Sequence, residues 1–258
     1  MATSNKQQKK QTRVKKNKKK YGQKTVIKDD RIHKGIFILL IISLLLNCIA
    51  VGHFANYNHN KAKKVTKIKK VIPENIVFLG DSLTYRYDLE KYFGNNHNIV
   101  NSGIDGNTTE DILDNMKSRV YNYNPSKVFI LIGTNDIIKD KTSTEISTNI
   151  EKIIENIKEN RPGCKIYLES LYPVNNGNDR KIRPNTVQSR TNETIEEINK
   201  TIKKYCQKNN ITYIDLYNDL IDDDNNLKLD YTVEGLHLSD EGYEVITKKL
   251  TKYIEDEV

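Results

Sequence analysis

The chain has 258 residues, enough for one good-sized hydrophobic core, and its net charge of +8 is unevenly distributed. Residues 1–70 contain 19 Lys and Arg against two acidic residues, whereas residues 71–258 contain 23 Lys and Arg against 32 acidic residues. The basic charge therefore belongs to the amino-terminal segment. The remainder is acidic, which argues against nucleic acid as a partner of the folded part.

The amino-terminal part divides into a basic tail, an apolar stretch and a linker. Residues 1–34 are polar and without periodicity, which predicts a disordered cytoplasmic tail. Residues 35–55 have no charge from Ile36 to Val51 and reach the length that spans a bilayer, so we predict a single transmembrane signal-anchor helix. Residues 56–72 are a basic linker that either lies on an anionic membrane surface or is a solvated tether.

The charges that flank the apolar stretch predict its orientation. Thirteen Lys and Arg precede it and six lie in residues 56–70, so the positive-inside rule places the amino terminus in the cytoplasm and the following domain outside. The alternative is a signal peptide cleaved near Ala50-Val51-Gly52, which would give a secreted protein. A lipoprotein is disfavoured because Asn47 precedes Cys48, where a small residue is expected.

Strands and helices alternate from residue 73 to residue 258, which predicts one globular domain. Apolar runs predict five strands, at 75–80, 98–100, 127–133, 165–171 and 211–216. Amphipathic segments predict helices at 108–120, 143–160, 188–209 and 239–257, the last capped by Ser239. This order predicts an α/β fold: a flavodoxin-like, three-layer α/β/α domain with a five-stranded parallel sheet.

The cysteines show no metal-ligand spacing. Cys164 and Cys206 could pair, but a domain of this size needs no disulfide, so two buried free thiols are expected.

Residues that could perform chemistry follow the ends of the predicted strands. In chain order they are Gly80-Asp81-Ser82, Gly103 with Gly106, Asn135, and Glu234 with His237. Taken singly, each is also an ordinary turn or cap residue. A nucleophilic hydroxyl needs a base, the base needs an orienting acid, and a developing oxyanion needs N–H donors. Because parallel strands end at one edge of the sheet, the fold would bring these groups together there.

Four short blocks resemble those of the GDSL/SGNH hydrolase family of serine esterases and lipases. They are GDSL at 80–83, NSGIDGNTT at 101–109, GTND at 133–136 and EGLHLS at 234–239, and the resemblance spans residues 74–256. The G-x-S-x-G signature of α/β-hydrolases is absent. The resemblance implies an enzyme that works through an acyl-enzyme and needs no metal or organic cofactor.

The resemblance also implies a role for each matching residue. Ser82 would be the nucleophile, and its N–H would form the oxyanion hole with the N–H of Gly103 and the side-chain amide of Asn135. His237 would be the general base, and Asp81 would shape the turn before the nucleophile.

The last block departs from the family pattern at its acid. The pattern is Asp-x-x-His, whereas Glu234 stands three residues before His237 in this chain. We predict that Glu234 orients the imidazole. Asp230, seven residues before the histidine, is the alternative acid, and a Ser–His dyad without an acid remains open.

These features predict an extracytoplasmic serine esterase that removes small acyl groups such as acetyl from cell-surface glycans or lipids. An O-acyltransferase with the same Ser–His site and a non-catalytic surface scaffold are the alternatives. The loop at 172–186 is the longest irregular segment near the expected crevice, so it is a candidate for substrate selection. Its basic residues Arg180, Lys181 and Arg183 could contact an anionic glycan or headgroup, or could simply be solvated.

Overall fold

The computed structural model describes residues 33–61, 75–95 and 98–255. The chain divides into two compact units, Met1–Ile72 and Pro73–Val258. The predicted basic tail and most of the predicted linker lie outside the described residues, so they stay predictions.

The described part of the first unit is an apolar helix, α1 (His33–Lys61). It is 29 residues long, its most apolar window has a mean hydropathy of 2.6, and none of that window is buried. The helix is long and apolar enough to cross a membrane. A signal sequence near the amino terminus would have the same length and composition. The orientation of this helix stays a prediction.

The second unit is built on a five-stranded parallel sheet, and the predicted α/β fold is confirmed. The strands are β1 (Asn75–Gly80), β2 (Ile99–Gly103), β3 (Pro125–Leu131), β4 (Lys165–Glu169) and β5 (Thr212–Ile214). Their order across the sheet is β2-β1-β3-β4-β5, and every neighbouring pair is parallel. From β1 the chain first adds β2 on one side and then β3 on the other side, so the strand order switches between β1 and β3. Open α/β sheets bind ligands beside such a switch point.

Helices cover both faces of the sheet. They are α2 (Ser82–Tyr85), α3 (Leu89–Phe93), α4 (Thr109–Asp114), α5 (Met116–Arg119), α6 (Thr134–Ile137), α7 (Ser143–Asn160), α8 (Pro184–Val187), α9 (Asn192–Asn209), α10 (Tyr217–Leu220) and α11 (Asp240–Glu255). Single 3₁₀ turns lie at Tyr121–Tyr123 and Leu229–Tyr231.

The core consists of two apolar clusters, one on each face of the sheet. Successive residues of a strand point to opposite faces, so Val77 packs in the cluster that includes residues of α4, α7 and α9, whereas Phe78 packs in the cluster that includes residues of α3 and α11. This double burial explains why β1 and β3 are continuous apolar runs. Both clusters belong wholly to the second unit, so we expect residues 73–258 to fold by themselves.

Most predicted elements differ in their bounds from those in the structure. The helix predicted at 188–209 begins only at Asn192, because the backbone of Gln188 (φ 56°) is not helical. Two further differences have a clear local cause. The helix predicted at 108–120 is interrupted at Asn115, whose backbone (φ −123°, ψ 20°) leaves the helical region while its side chain donates to the carbonyl of Asp111. The strand predicted at 98–100 continues to Gly103, because its backbone still pairs with β1 after the apolar residues end. Cys164 and Cys206 are free thiols, as predicted, but only Cys206 is fully buried, whereas Cys164 is partly exposed.

Candidate active site

The turn after β1 presents Ser82 at the carboxyl edge of the sheet. Asp81 is the N-cap of α2, and its Oδ1 accepts a hydrogen bond of 2.9 Å from the N–H of Leu83. A side chain at Gly80 would overlap the hydroxyl of Thr84 and the carbonyl of Leu131, so only glycine allows the strand to end this close to β3. Ser82 therefore begins a short helix, where its N–H has no acceptor within the helix.

The structure brings Ser82 and His237 together, although 155 residues separate them. Ser82 Oγ lies 3.0 Å from His237 Nε2, and His237 Nδ1 lies 2.6 Å from Glu234 Oε1. A carboxylate beside Nδ1 favours the tautomer that carries its proton there, which leaves Nε2 free to accept the proton of the serine hydroxyl.

The surroundings of His237 keep its imidazole neutral. The residue is 8% exposed, and burial lowers the pKa of the imidazole, while the neighbouring Glu234 carboxylate opposes that shift. A histidine whose pKa lies below its usual value is unprotonated at neutral pH, as a general base must be.

A tight loop holds the acid and the histidine. Thr232 is fully buried; its hydroxyl donates to the carbonyl of His237 (2.8 Å) and accepts from the N–H of Gly235 (2.7 Å). Glu234 Oε1 accepts from the backbone N–H of His237 (3.0 Å) as well as from Nδ1. The extra methylene of glutamate is accommodated because its side chain folds back over its own loop.

The alternative acid lies elsewhere. The side chain of Asp230 is exposed, and its backbone carbonyl accepts from Ser239 Oγ at 2.6 Å. Of the two candidate acids, Glu234 is the one that the described structure places against the imidazole.

Asn135 is oriented toward the loop that follows β2. Its Nδ2 donates to the carbonyl of Asn107 at 3.0 Å, and its Oδ1 accepts from Arg190 at 2.8 Å. Because an amide nitrogen has two hydrogens, one remains for a substrate oxygen.

Gly103 was predicted to supply an N–H to the oxyanion hole. Its N–H already donates to Asn101 Oδ1 at 2.9 Å, so that donor is engaged within its own turn. A side chain at Gly103 would overlap the backbone nitrogen of Tyr85, so this glycine instead allows α2 to approach β2. Gly106, at φ +76°, precedes the Asn107 that binds Asn135, and its N–H has no acceptor among the described residues.

Residues 78–245 match the family model described as GDSL-like Lipase/Acylhydrolase. The chain belongs to this family. This GDSL-like hydrolase is therefore a serine hydrolase of the acylhydrolase and esterase class.

Individual relatives and solved structures are similar to most of this chain. A Streptococcus pneumoniae structure described as a platelet activating factor is 34% identical, covers 80% of this chain and 99% of its own, and has a TM-score of 0.66. An acylhydrolase from Bacteroides fragilis is 25% identical, covers 73% of this chain and 92% of its own, and has a TM-score of 0.61. N-acylneuraminate cytidylyltransferase from Streptococcus agalactiae is 27% identical over 180 residues, which are 70% of this chain but only 38% of that protein.

The structure adds residues around the site that the sequence reasoning missed. Asp136 accepts from both the N–H (3.0 Å) and the hydroxyl (2.5 Å) of Thr109, which ties the glycine-containing loop to α6. Arg119 is buried beneath the same loop, where it donates to Ser102 Oγ (3.1 Å) and to the carbonyl of Gly80 (3.0 Å). Asp136 could have been found from the sequence, because it ends the GTND block. Arg119 could not, because it lies in no recognisable motif.

The long loop at 172–186 is fastened to the loop that holds the acid. The N–H of Asn175 donates to the carbonyl of Gly235 (2.8 Å), and the N–H of Arg183 donates to the carbonyl of Glu234 (2.9 Å). The ammonium group of Lys181 donates to the carbonyl of Leu229 at 2.7 Å. The loop therefore forms one wall beside Glu234 and His237.

Proposed function

We propose that this GDSL-like hydrolase removes small acyl groups from sugar esters through an acyl-enzyme formed on Ser82. The observation that supports this most directly is the continuous chain of contacts from Ser82 Oγ through the imidazole of His237 to the carboxylate of Glu234. That chain supplies a nucleophile, a neutral base and an orienting acid in hydrogen-bonding positions.

The reaction has two steps. As Ser82 Oγ attacks the ester carbonyl, His237 Nε2 takes its proton, and the imidazolium then donates this proton to the departing alcohol oxygen. Water attacks the acyl-enzyme, again losing a proton to Nε2, and the carboxylic acid leaves as the Ser82 hydroxyl is restored. Glu234 stabilises the imidazolium formed in each step.

The oxyanion of each tetrahedral intermediate needs N–H donors. We assign this role to the N–H of Ser82, the remaining Nδ2 hydrogen of Asn135 and the N–H of Gly106, in place of Gly103. Removing one such donor typically costs about 10²- to 10³-fold in kcat.

Exposed apolar side chains close in sequence to the proposed catalytic residues support a sugar ester as substrate. Among the described residues of the second unit, the exposed large apolar side chains are Tyr85, Ile104, Leu229 and Val233. Tyr85 lies three residues after Ser82, and Val233 directly precedes Glu234. An exposed aromatic ring beside a nucleophile is suited to the carbon-rich face of a sugar.

Two further observations bear on the substrate's source. The curated relative is named for N-acylneuraminate, an acidic sugar, although the chain matches only 38% of that protein. The apolar helix α1 and the basic charge before it support an extracytoplasmic, membrane-anchored enzyme that acts on surface glycans.

The test is esterase activity of the full-length chain in detergent with p-nitrophenyl acetate. We expect Ser82→Ala and His237→Ala each to lower kcat/KM by about 10³-fold or more. Glu234→Ala is expected to cost at least about 10²-fold, whereas Asp230→Ala, its matched control, should cost less than about twofold. An inactive but folded wild-type protein would favour the scaffold, and a larger loss in Asp230→Ala would move the acid to that residue.

Two additional measurements address substrate and location. Adding a free sugar acceptor and looking for its acetyl ester separates transfer from hydrolysis. Protease treatment of intact cells should digest the second unit, and its protection would contradict an extracytoplasmic position.

A further inference from the structure

We propose that Arg190 is a positioning residue for oxyanion stabilisation: it orients the side-chain amide of Asn135 and polarises the N–H that this amide presents to the substrate. The inference rests on the proposed function, because it assigns a second layer of residues to the same oxyanion hole.

Arg190 is buried, and all three nitrogens of its guanidinium donate hydrogen bonds. It is 2% exposed, and its Nε donates to the carbonyl (3.1 Å) and hydroxyl (2.9 Å) of Thr134. Nη1 donates to the carbonyls of Thr186 (3.1 Å) and Val187 (3.0 Å), and Nη2 donates to Asn135 Oδ1 (2.8 Å). The guanidinium thus joins α8, at the end of the long loop, to α6, which holds Asn135.

These contacts select one orientation of the Asn135 amide. A flipped amide would place its NH₂ group against the guanidinium, so that donors would face each other. With Oδ1 held by Arg190, Nδ2 faces the carbonyl of Asn107, and its second hydrogen is the one assigned to the oxyanion. Removing Arg190 would therefore leave the amide free to rotate away from the orientation that the oxyanion needs.

Within the described part of the chain, Arg190 has no direct ion pair. No carboxylate of the described residues forms a salt bridge with it. The nearest compensation is through space: burial lowers the pKa of Arg190, and Asp81 opposes that shift. Burial in turn raises the pKa of Asp81 to about 7, and its Oδ2 has no hydrogen-bond partner among the described residues.

A cation that donates to an amide oxygen strengthens the amide N–H as a donor. The hydrogen bond from Arg190 to Oδ1 is charge-assisted, and neighbouring hydrogen bonds polarise one another where water is excluded. The benefit is largest when negative charge develops on the substrate oxygen, so it lowers the barrier more than it improves substrate binding.

The backbone before Arg190 is strained. Gln188 has φ 56° and ψ −137°, a conformation that favours glycine, and it connects α8 to the segment that carries Arg190. Such a conformation costs about 1–3 kcal/mol and persists only where surrounding contacts impose it. The hydrogen bonds of the Arg190 guanidinium are contacts of this kind.

The experiment is a double-mutant cycle on the full-length chain in detergent, with p-nitrophenyl acetate as substrate. Arg190→Met should lower kcat by about 10- to 100-fold with little change in KM. In the Asn135→Ala background the same substitution should cost less than about twofold, because the group through which it acts is gone. Arg161→Met, in the segment before β4, is the matched control and should retain wild-type kcat.

A second readout separates catalysis from folding. The affinity of a phenylboronic acid, which forms a tetrahedral adduct with the serine, should fall by the same factor as kcat in Arg190→Met. If this variant does not fold, Arg190→Lys decides: it retains the buried charge but loses the planar donors, so kcat and boronate affinity should fall together.

Three results would overturn the inference: an equal loss in the Asn135→Ala background, an unchanged boronate affinity, or wild-type kcat in Arg190→Lys. If Ser82→Ala is inactive while Arg190 variants behave normally, only this inference fails. If Ser82→Ala retains activity, the proposed function fails with it.

Discussion

Glu169 tests how strongly burial raises the pKa of a carboxyl group in this fold. It is the last residue of β4 and 3% exposed, and Tyr172 donates its hydroxyl proton to Oε2 at 2.6 Å. Burial raises the pKa of Glu169 from 4.5 to about 7, and the Tyr172 hydrogen bond opposes the shift only in part. We predict that Glu169→Gln makes the stability of the domain less dependent on pH.

The size of the effect follows from proton linkage. Between pH 4.5 and 7, the folded protein keeps the Glu169 proton while the unfolded chain loses it, so the free energy of unfolding falls as pH rises. From pH 5 to pH 8 this contribution amounts to about 2–3 kcal/mol. Glutamine does not ionise, and any cost of its buried NH₂ group is the same at both pH values, so that cost cancels in the comparison.

The assay is urea unfolding of residues 73–258 at pH 5 and pH 8, followed by tyrosine fluorescence because the chain has no tryptophan. We subtract the free energy of unfolding of the wild type from that of Glu169→Gln. This difference should be about 2–3 kcal/mol more positive at pH 8 than at pH 5. Glu244→Gln, which removes an exposed charge on α11, is the control and should follow the wild-type curve. Parallel curves for Glu169→Gln and wild type would refute the argument.

Three further predictions follow from other residues. Because burial lowers the pKa of His237, kcat/KM should rise with pH through a midpoint below 6.5 and then stay level near neutrality, and a midpoint above 6.5 would contradict this. Gly80→Ala should lower the free energy of unfolding by about 3 kcal/mol or more, since the new methyl group overlaps Leu131 and Thr84; an unchanged Tm would disprove the close approach. Gln188→Gly should raise the free energy of unfolding by about 1 kcal/mol by relieving its backbone conformation, and a lower Tm would show that no strain is stored there.

The sheet and the catalytic contacts were predictable because their signals are local. The apolar runs of β1 and β3 are buried on both faces, and each ends at a block with recognisable chemistry. Ser82, Asn135 and His237 could be given expected roles because the blocks that contain them resemble those of a known family. The position of Glu234 followed from spacing, and its contact with Nδ1 agrees with that reasoning.

Other features depend on tertiary contacts that a sequence does not display. Arg190 lies at the amino-terminal end of a segment predicted as a continuous helix, where an arginine usually faces solvent, yet it is buried against α6. The engagement of the Gly103 N–H depends on the rotamer of Asn101, which no motif reports. The first of these features arises from packing between distant segments and the second from one side-chain rotamer, and neither has a sequence pattern.

The separation of Ser82 from His237 has a consequence for biosynthesis. A ribosome makes the proposed nucleophile 155 residues before the imidazole, so their contact forms only after the segment around α11 has packed, where the Tyr243 hydroxyl donates to the carbonyl of Leu83 at 2.8 Å. A nascent or carboxy-terminally truncated chain therefore carries an unactivated serine.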